Sequence, residues 1–117
     1  MNLEEIRAFC HSLPGVTEDI KWGDHLCFSA GGKMFLVTAP DEFPISASIK
    51  ASDENFELLS ARPGFKPAPY MARNKWVYLD DIGRMDVAEW TALLREAWSI
   101  VVSRLPKKTQ KELGLIP

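Results

Sequence analysis

The stretch HLCFSAGGKMFLVTA, from His25 to Ala39, contains two strand-like runs joined by Gly31-Gly32. Glycine readily adopts the positive φ angles that a two-residue hairpin turn requires, so this stretch predicts an antiparallel hairpin. The next segment, ISASIKA, alternates between apolar and polar residues and predicts a third strand. Its apolar face carries Ile45, Ala47 and Ile49. Its polar face carries Ser46, Ser48 and Lys50, a pattern typical of a sheet that is solvated on one side.

Helical patterns lie on both sides of these strands. Asn2, with Glu5 three positions later, is a capping pair for a first helix that Pro14-Gly15 ends. Ser52 can cap a short helix that stops near Ala61. The sequence therefore predicts one helix before the three strands and another directly after them.

The second half of the chain predicts one more strand and two more helices. Lys75 to Asp80 forms the fourth strand, and Asp86 begins the longest helix, whose apolar residues recur at helical spacing up to Leu105. Pro106 then begins a short tail helix that Gly114 ends. The order α-β-β-β-α-β-α predicts an α+β fold, a two-layer sandwich in which an antiparallel sheet has helices packed on one face.

Length and composition indicate one globular domain spanning residues 1–117. Hydrophobic residues make up 46% of the chain and charged residues 26%, unlike a disordered protein. No apolar run approaches the roughly 20 residues that cross a bilayer, and the amino terminus, MNLEEIRAF, begins with acids rather than a basic leader. With only Cys10 and Cys27, we expect reduced thiols, no cofactor, a cytoplasmic location and a monomer without a membrane segment.

The charges are distributed unevenly along the chain, although the net charge is only −2. Residues 1–61 hold four cations and ten acids, a net charge of −6, whereas residues 62–117 hold ten cations and six acids, a net charge of +4. One basic cluster comprises Arg104, Lys107, Lys108 and Lys111. If folding brings the basic segments together, they form a surface for an anionic partner; if folding intermixes the halves, they are ordinary solvated residues.

The richest basic segment is RPGFKPAPYMARNKWVYL, from Arg62 to Leu79. Its four cations are interleaved with Phe65, Tyr70 and Trp76, and it contains no acid. Three prolines and one glycine predict a long loop from Ala61 to Asn74, before the strand that begins at Lys75. Cations alternating with aromatic residues are typical of surfaces that bind nucleic acid. In the alternative interpretation, Trp76 and Tyr70 pack into the core and Phe65 anchors the loop.

Six short segments occur in a characteristic order. They are LPGV (13–16), Trp22, GGKMF (31–35), Ile49-Lys50, RPGFKPAPYMARNKWV (62–77) and LPKK (105–108). This set resembles the MmcQ/YjbR family of small bacterial proteins over almost the whole chain. The resemblance implies a CyaY-like, or frataxin-like, sandwich that binds DNA through a double-wing arrangement of strands and helices. One departure is Ala97-Trp98, where many relatives have Ser-Tyr.

The function implied by this resemblance can be assigned to particular residues. The candidate phosphate contacts are Lys50, Arg62, Lys66, Arg73, Lys75, Lys107 and Lys108. Tyr70 and Trp76 are candidates for stacking on a base. The alternative is a protein-interaction or small-ligand-binding module with no nucleic-acid role, in which the polar sheet face and the long loop form a shallow pocket.

Other chemistries have less support in the sequence. Cys10-His11 and His25-x-Cys27 are potential metal ligands, but their spacing matches no zinc module, and buried thiols are the simpler interpretation. The early acids resemble the iron-binding acids of frataxin-like proteins only faintly; they are Glu4, Glu5, Glu18, Asp19 and Asp24. A strand-end turn explains Asp80-Asp81, and no catalytic motif is present, so we expect no enzyme activity, no catalytic residue and no metal site.

Overall fold

The hairpin predicted around Gly31-Gly32 lies within a six-stranded antiparallel sheet in the computed structural model, which describes residues 1–117. The strands are β1 (Val16–Lys21), β2 (His25–Ala30), β3 (Lys33–Ala39), β4 (Ser46–Lys50), β5 (Phe65–Pro67) and β6 (Trp76–Leu79). Their order across the sheet is β1-β2-β3-β4-β6-β5. The helices are α1 (Leu3–Ser12), α2 (Asp53–Ser60), α3 (Val87–Ser103) and α4 (Lys107–Glu112). The predicted α+β class is confirmed.

Side-chain caps begin the three longer helices where the sequence predicts them. Asn2 accepts a hydrogen bond from the backbone N–H of Glu5, whose side chain accepts one from the Asn2 N–H in return. Ser52 and Asp86 accept equivalent bonds at the starts of α2 and α3. Each cap satisfies an N–H group that the helix leaves without a partner, and so fixes the residue at which the helix begins.

The main core lies between the sheet and the helices. We call the sheet side that carries Ala47 and Ile49 the helix face, because α1 and α3 pack against it. Trp90 of α3 is completely buried there, and its indole N–H donates to the carbonyl of Ile82 at 2.8 Å. Trp98 is half-buried, and its indole N–H donates to the carbonyl of Pro14 at 2.9 Å. Trp98, which stands where many relatives have tyrosine, therefore still makes a polar contact.

Two strands are present that the sequence analysis missed. β1 pairs along its length with β2, and β5 pairs with β6. β1 is largely polar because it is an edge strand, and β5 occupies only three residues of the segment predicted to be a loop. Pro67 is compatible with this position, since a proline without an N–H group is tolerated at a sheet edge. The element order is therefore α-β-β-β-β-α-β-β-α-α.

The opposite side of the sheet, which we call the second face, is not simply solvated as predicted. A small cluster of buried residues lies on it, formed by Cys27, Val37, Ala68 and Trp76. The segment that follows β5 folds over this face, where the N–H of Ala68 donates to the carbonyl of Trp76 at 2.9 Å. Lys50, placed on the polar face by the alternation, is covered by this segment and donates to the carbonyl of Asn74, and Ser46 is buried as well.

The turn between β2 and β3 contacts the end of α3. A Cβ atom added to Gly31 would lie 2.6 Å from a methyl group of Leu105, whereas one added to Gly32 would meet nothing within 4 Å. The turn, the carboxyl end of α3 and the start of α4 are therefore held at the same end of the molecule.

No helix has the length and apolar character that crossing a membrane requires.

Gly31→Ala should destabilise the protein more than Gly32→Ala. Both glycines have a positive φ angle, so both substitutions carry backbone strain of about 1–2 kcal/mol. Only the methyl group at position 31 meets Leu105, and this overpacking should cost about 1–3 kcal/mol more. Urea titration of the two variants measures the difference in the free energy of unfolding. Equal losses at the two positions would contradict the packing of the turn against α3.

Candidate nucleic-acid interface

The topology of the sheet brings several chain segments to one end of the molecule. The β2–β3 turn lies there, and the register that pairs Lys50 with Trp76 places the end of β4 beside the start of β6. Leu105, which packs on Gly31, adds the segment between α3 and α4. In an antiparallel sheet one strand ends where its neighbour begins. Residues that are far apart in the sequence therefore meet at this end of the molecule.

Most of the cations in these segments meet at this end. We call it the basic end, and its cations are Lys33, Lys50, Arg73, Lys75, Arg104, Lys107, Lys108 and Lys111. The acids in the same segments are Asp53, Glu54 and Glu112. At the opposite end lie the strand turns and helix starts that carry Asp24, Asp41, Glu42, Asp80, Asp81 and Asp86. The charge asymmetry of the sequence thus becomes a separation of charge in space.

The cations of the 62–79 segment do not stay together. Arg62 donates to Glu89 at 2.5 Å and to the carbonyl of Arg84, so its guanidinium is neutralised near the start of α3. Glu89 and Arg104 are 15 positions apart along and just beyond α3, which corresponds to about 22 Å at 1.5 Å per residue. Arg62 is therefore remote from the basic end. Lys66 also lies elsewhere, on the second face, with its ammonium 5.2 Å from the centre of the Tyr78 ring.

Arg73 and Lys75 are the members of this segment that reach the basic end. Arg73 is exposed in a short 3-10 turn over Ala72–Asn74. Lys75 follows in the left-handed conformation, with φ at 63°, and its ammonium lies 5.0 Å from the centre of the Phe56 ring. The reversal at Lys75 redirects the chain into β6. Arg73 and Lys75 therefore flank Asn74 at the basic end.

The cations of α4 and the connection before it are open to solvent. Lys107 and Lys108 form the first turn of α4, and Arg104 lies just after the end of α3. All three side chains are exposed, and no carboxylate lies within 4.0 Å of their charged groups. They are therefore free to meet an external anion.

Lys50 is the exceptional member of the set because it is only 6% exposed. Its ammonium donates to the backbone carbonyl of Asn74 and pairs with no carboxylate. Burial lowers the pKa of Lys50, and the positive charges of Arg104 and Lys75 lower it further against an opposing effect of Asp53. Burial therefore keeps the Lys50 ammonium away from the outer surface of the protein.

A cavity of about 470 Å³ opens at the basic end beside Lys50. Lys33 and Arg104 line it together with Lys50, and Trp76 lies in its wall. Trp76 is only 6% exposed, so it cannot stack on a base at the outer surface. Tyr70, in contrast, is fully exposed, contrary to the interpretation that it packs into the core. It therefore remains available for stacking.

A second cavity, of about 270 Å³, lies on the second face toward the opposite end of the sheet. Trp22 lines it and is 66% exposed, and its ring meets the His25 ring edge to face at 5.8 Å between centres. Phe43 and Tyr70 are fully exposed and lie one residue from Glu42 and Met71, which also line the cavity. Trp22 is therefore an exposed aromatic side chain of this cavity, and two more exposed aromatic residues adjoin its lining residues in the sequence.

The potential metal ligands of the sequence are dispersed. Cys10 lies in the main core and Cys27 in the small cluster on the second face, so the sheet separates the two thiols. Burial raises the pKa of Cys10 to about 12, which keeps it an unreactive thiol. No group of three or more histidine, cysteine, aspartate or glutamate side chains lies close enough together to hold a metal ion.

The acids singled out in the sequence have structural partners. Glu18 accepts hydrogen bonds from Arg7 at 3.1 and 3.2 Å and contacts His11 at 2.6 Å, and these partners lower its pKa despite partial burial. Asp80 pairs with Arg84, and Asp81 accepts from the N–H of Gly83 at 2.8 Å. The turn interpretation of Asp80-Asp81 accounts for both side chains.

Three cations of the basic end were absent from the predicted contacts: Lys33, Arg104 and Lys111. Arg104 and Lys111 belong to the basic cluster recognised in the sequence. Lys33 could have been found from the hairpin alone, because it directly follows the Gly31-Gly32 turn and so must lie at an end of the sheet. Which residues lie beside Lys33 at that end depends on the tertiary structure.

Lys50→Met should stabilise the protein at neutral pH by about 1 kcal/mol, because methionine keeps an apolar stem and removes a buried charge. Since the pKa of Lys50 is lowered in the fold, the unfolded chain keeps this proton to a higher pH. The wild type therefore gains stability as pH rises through that lowered pKa. The advantage of the variant should be greatest at neutral pH and shrink toward about pH 10.4, the ordinary lysine pKa.

Urea titrations at pH 7 and pH 10 measure this effect. Lys108→Met is the matched control, since Lys108 is exposed and its replacement should change the free energy of unfolding by less than about 0.5 kcal/mol at either pH. An equal gain at Lys108, or a gain at Lys50 that does not vary with pH, would contradict the account of Lys50.

Comparisons with known proteins agree with this architecture. A crystal structure of the Deinococcus radiodurans protein DR2400, described with the domain DUF419, is similar with a TM-score of 0.86 and 27% identity, over 98% of this chain and 89% of that one. A crystal structure of a Pseudomonas syringae protein shares the fold, with a TM-score of 0.69 and 17% identity, over 86% of this chain and 98% of that one. No curated protein matches. The family model described as YjbR matches residues 11–100, from the end of α1 through most of α3, and this chain belongs to the YjbR family.

Proposed function

We propose that this protein binds DNA through its basic end. The observation that carries the proposal is the convergence there of Arg73, Lys75 and Arg104 with the lysines of α4. These cations come from two segments that are separated in the sequence, and the exposed ones have no carboxylate partner. Binding of a polyanion to such a surface releases counterions and is favourable at low salt.

The separation of charge supports the same proposal despite the net charge of −2. A uniformly acidic protein is repelled by phosphate, but a protein with a basic end and an acidic end is oriented by the field of the nucleic acid. The acids at the opposite end then lie farthest from the phosphates. The resemblance to DNA-binding MmcQ/YjbR proteins points in the same direction.

The phosphate contacts of this proposal differ from those predicted from sequence. It retains Arg73, Lys75, Lys107 and Lys108 as phosphate contacts and adds Lys33, Arg104 and Lys111. Arg62 is neutralised by Glu89, Lys66 lies on the second face and Lys50 is buried, so none of the three is included. Tyr70 remains a candidate for stacking on an unpaired base because its ring is exposed.

Binding of a fluorescent duplex should weaken steeply with salt. Each phosphate that the protein neutralises contributes about 0.9 to the slope of log affinity against log salt concentration. Replacing Lys107 and Lys108 with Gln should therefore reduce the slope by about 1.8 if each lysine contacts a phosphate. Fluorescence anisotropy between about 50 and 200 mM salt measures the slope.

Lys21→Gln is the control for this experiment. Lys21 lies at the end of β1, opposite His25 in the sheet and remote from the basic end, and its ammonium is 3.5 Å from the carboxylate of Asp19. Its replacement should leave the slope unchanged. Absence of duplex or single-stranded DNA binding by the wild type at about 50 mM salt would refute the proposal, as would equal effects of the control and the double variant.

A protein-interaction role is the second candidate, and the exposure of three large aromatic side chains favours it. Trp22 lines the second cavity and is exposed, as are Phe43 and Tyr70, and exposed apolar side chains that cluster commonly contact another protein. Asp24 and Glu42 lie in the same two turns as Trp22 and Phe43, so a partner with cationic and apolar groups would complement the patch.

A photo-crosslinking amino acid tests this role in living cells. Placed at position 43, it should give a discrete adduct with a partner protein. Placed at position 58, where Leu58 is 62% exposed on α2, it should not. The same adducts at both positions, or none at position 43, would reject the interaction role.

A further inference from the structure

We propose that the cavity beside Lys50 is a binding site for a phosphate monoester, with Lys50, Lys33 and Arg104 as the anion-binding residues. The cavity has a volume of about 470 Å³, within the range of small-molecule sites. The three cations all line it, and no acid does. This inference goes beyond the proposed DNA binding, because it needs only the cavity and not the lysines of α4.

Lys50 contributes a buried ammonium group to this cavity. Its side chain is only 6% exposed, and its ammonium has three N–H donors, of which the carbonyl of Asn74 accepts one. Neither a carboxylate nor another side chain occupies the remaining donors. A buried charge without an anionic partner is unfavourable for the fold, and an anion entering the cavity would satisfy it.

The charge of the lining selects the kind of anion. Lys50 and Arg104 line the same cavity together with Lys33, so all three cations can act on one ligand. Three cations match a phosphate monoester, which carries a charge of about −1.5 to −2 at neutral pH, better than a singly charged carboxylate or phosphodiester. A guanidinium also binds phosphate through two parallel hydrogen bonds.

The other residues that line the cavity indicate which chemical group is joined to the phosphate. Trp76, Met34 and Met71 line the cavity and give it an apolar side next to the cations. Thioether and indole groups pack well against flat rings, so the site suits an aromatic or nucleoside group joined to a phosphate. Because Lys50 is buried, it is reached by an end group more readily than by the middle of a polynucleotide backbone.

Two ligands carry a phosphate monoester joined to a nucleoside: a free nucleotide and the phosphorylated end of a DNA strand. Isothermal titration with deoxyadenosine 5′-monophosphate, and with deoxyadenosine as the control without phosphate, tests the first. Titration with a short single strand carrying a 5′-phosphate, and with the same strand carrying a 5′-hydroxyl, tests the second. We expect binding in at least one phosphorylated arm and weaker binding, by about tenfold or more, in its unphosphorylated control.

Variants assign the binding to this cavity. Lys50→Met and Arg104→Gln should each weaken binding of the phosphorylated probe by about tenfold or more, since each removes a charge-assisted contact. Lys21→Gln should not change it, because Lys21 lies at the end of β1 opposite His25 and does not line the cavity. Thermal unfolding of Lys50→Met establishes that the variant is folded, and Arg104→Gln, at an exposed residue, provides the second measurement.

The outcomes separate this site from the proposed function. No preference for a phosphorylated probe, or full binding by both Lys50→Met and Arg104→Gln, would overturn the phosphate site. Duplex binding that depends on Lys107 and Lys108 would then still stand. Conversely, nucleotide binding that depends on Lys50 would stand if the salt-dependent binding of duplex DNA were absent.

Discussion

The contact between the β2–β3 turn and Leu105 is the constraint on which the basic end depends. Gly31 has no side chain, and this lets the Leu105 methyl groups lie directly on the backbone of the turn. That contact fixes the end of α3 against the sheet, and with it the direction in which α4 leaves. Leu113 also packs on Gly31, so both ends of α4 are tied to the same turn. A bulkier turn would displace α4 and separate its lysines from Arg73 and Lys75.

The parts of the fold that were predicted from sequence are those with strong local patterns. The hairpin has two glycines between apolar runs, and α3 begins at a capping aspartate and carries a long apolar stripe. β1 was missed because an edge strand buries little of its surface, so its sequence, VTEDIK, lacks a clear alternation. β5 was missed because three residues ending in proline give no pattern. Its pairing with β6 is a tertiary effect that overrides the loop-forming composition.

The candidate site was predicted in part for similar reasons. The charge difference between the halves of the chain is visible in the sequence, but the convergence of cations depends on the register that sets Lys50 opposite Trp76. The alternation of β4 correctly placed Lys50 on the second face. It could not predict burial, because the chain that covers Lys50 and Trp76 comes from the segment after β5. The distance of Arg62 from the basic end could not be predicted, because its partner, Glu89, lies 27 positions away in the sequence.

The two outer strands also bear on how the protein resists aggregation. An unpaired strand edge exposes N–H and C=O groups that can recruit another strand. β5 offers only three residues at one edge, and the last of them is Pro67, which has no N–H to donate. β1, at the other edge, carries charged residues at Glu18, Asp19 and Lys21. Short length, proline and charge thus disfavour the growth of the sheet into an intermolecular assembly. The proline-rich composition around β5 therefore also protects this edge of the sheet against aggregation.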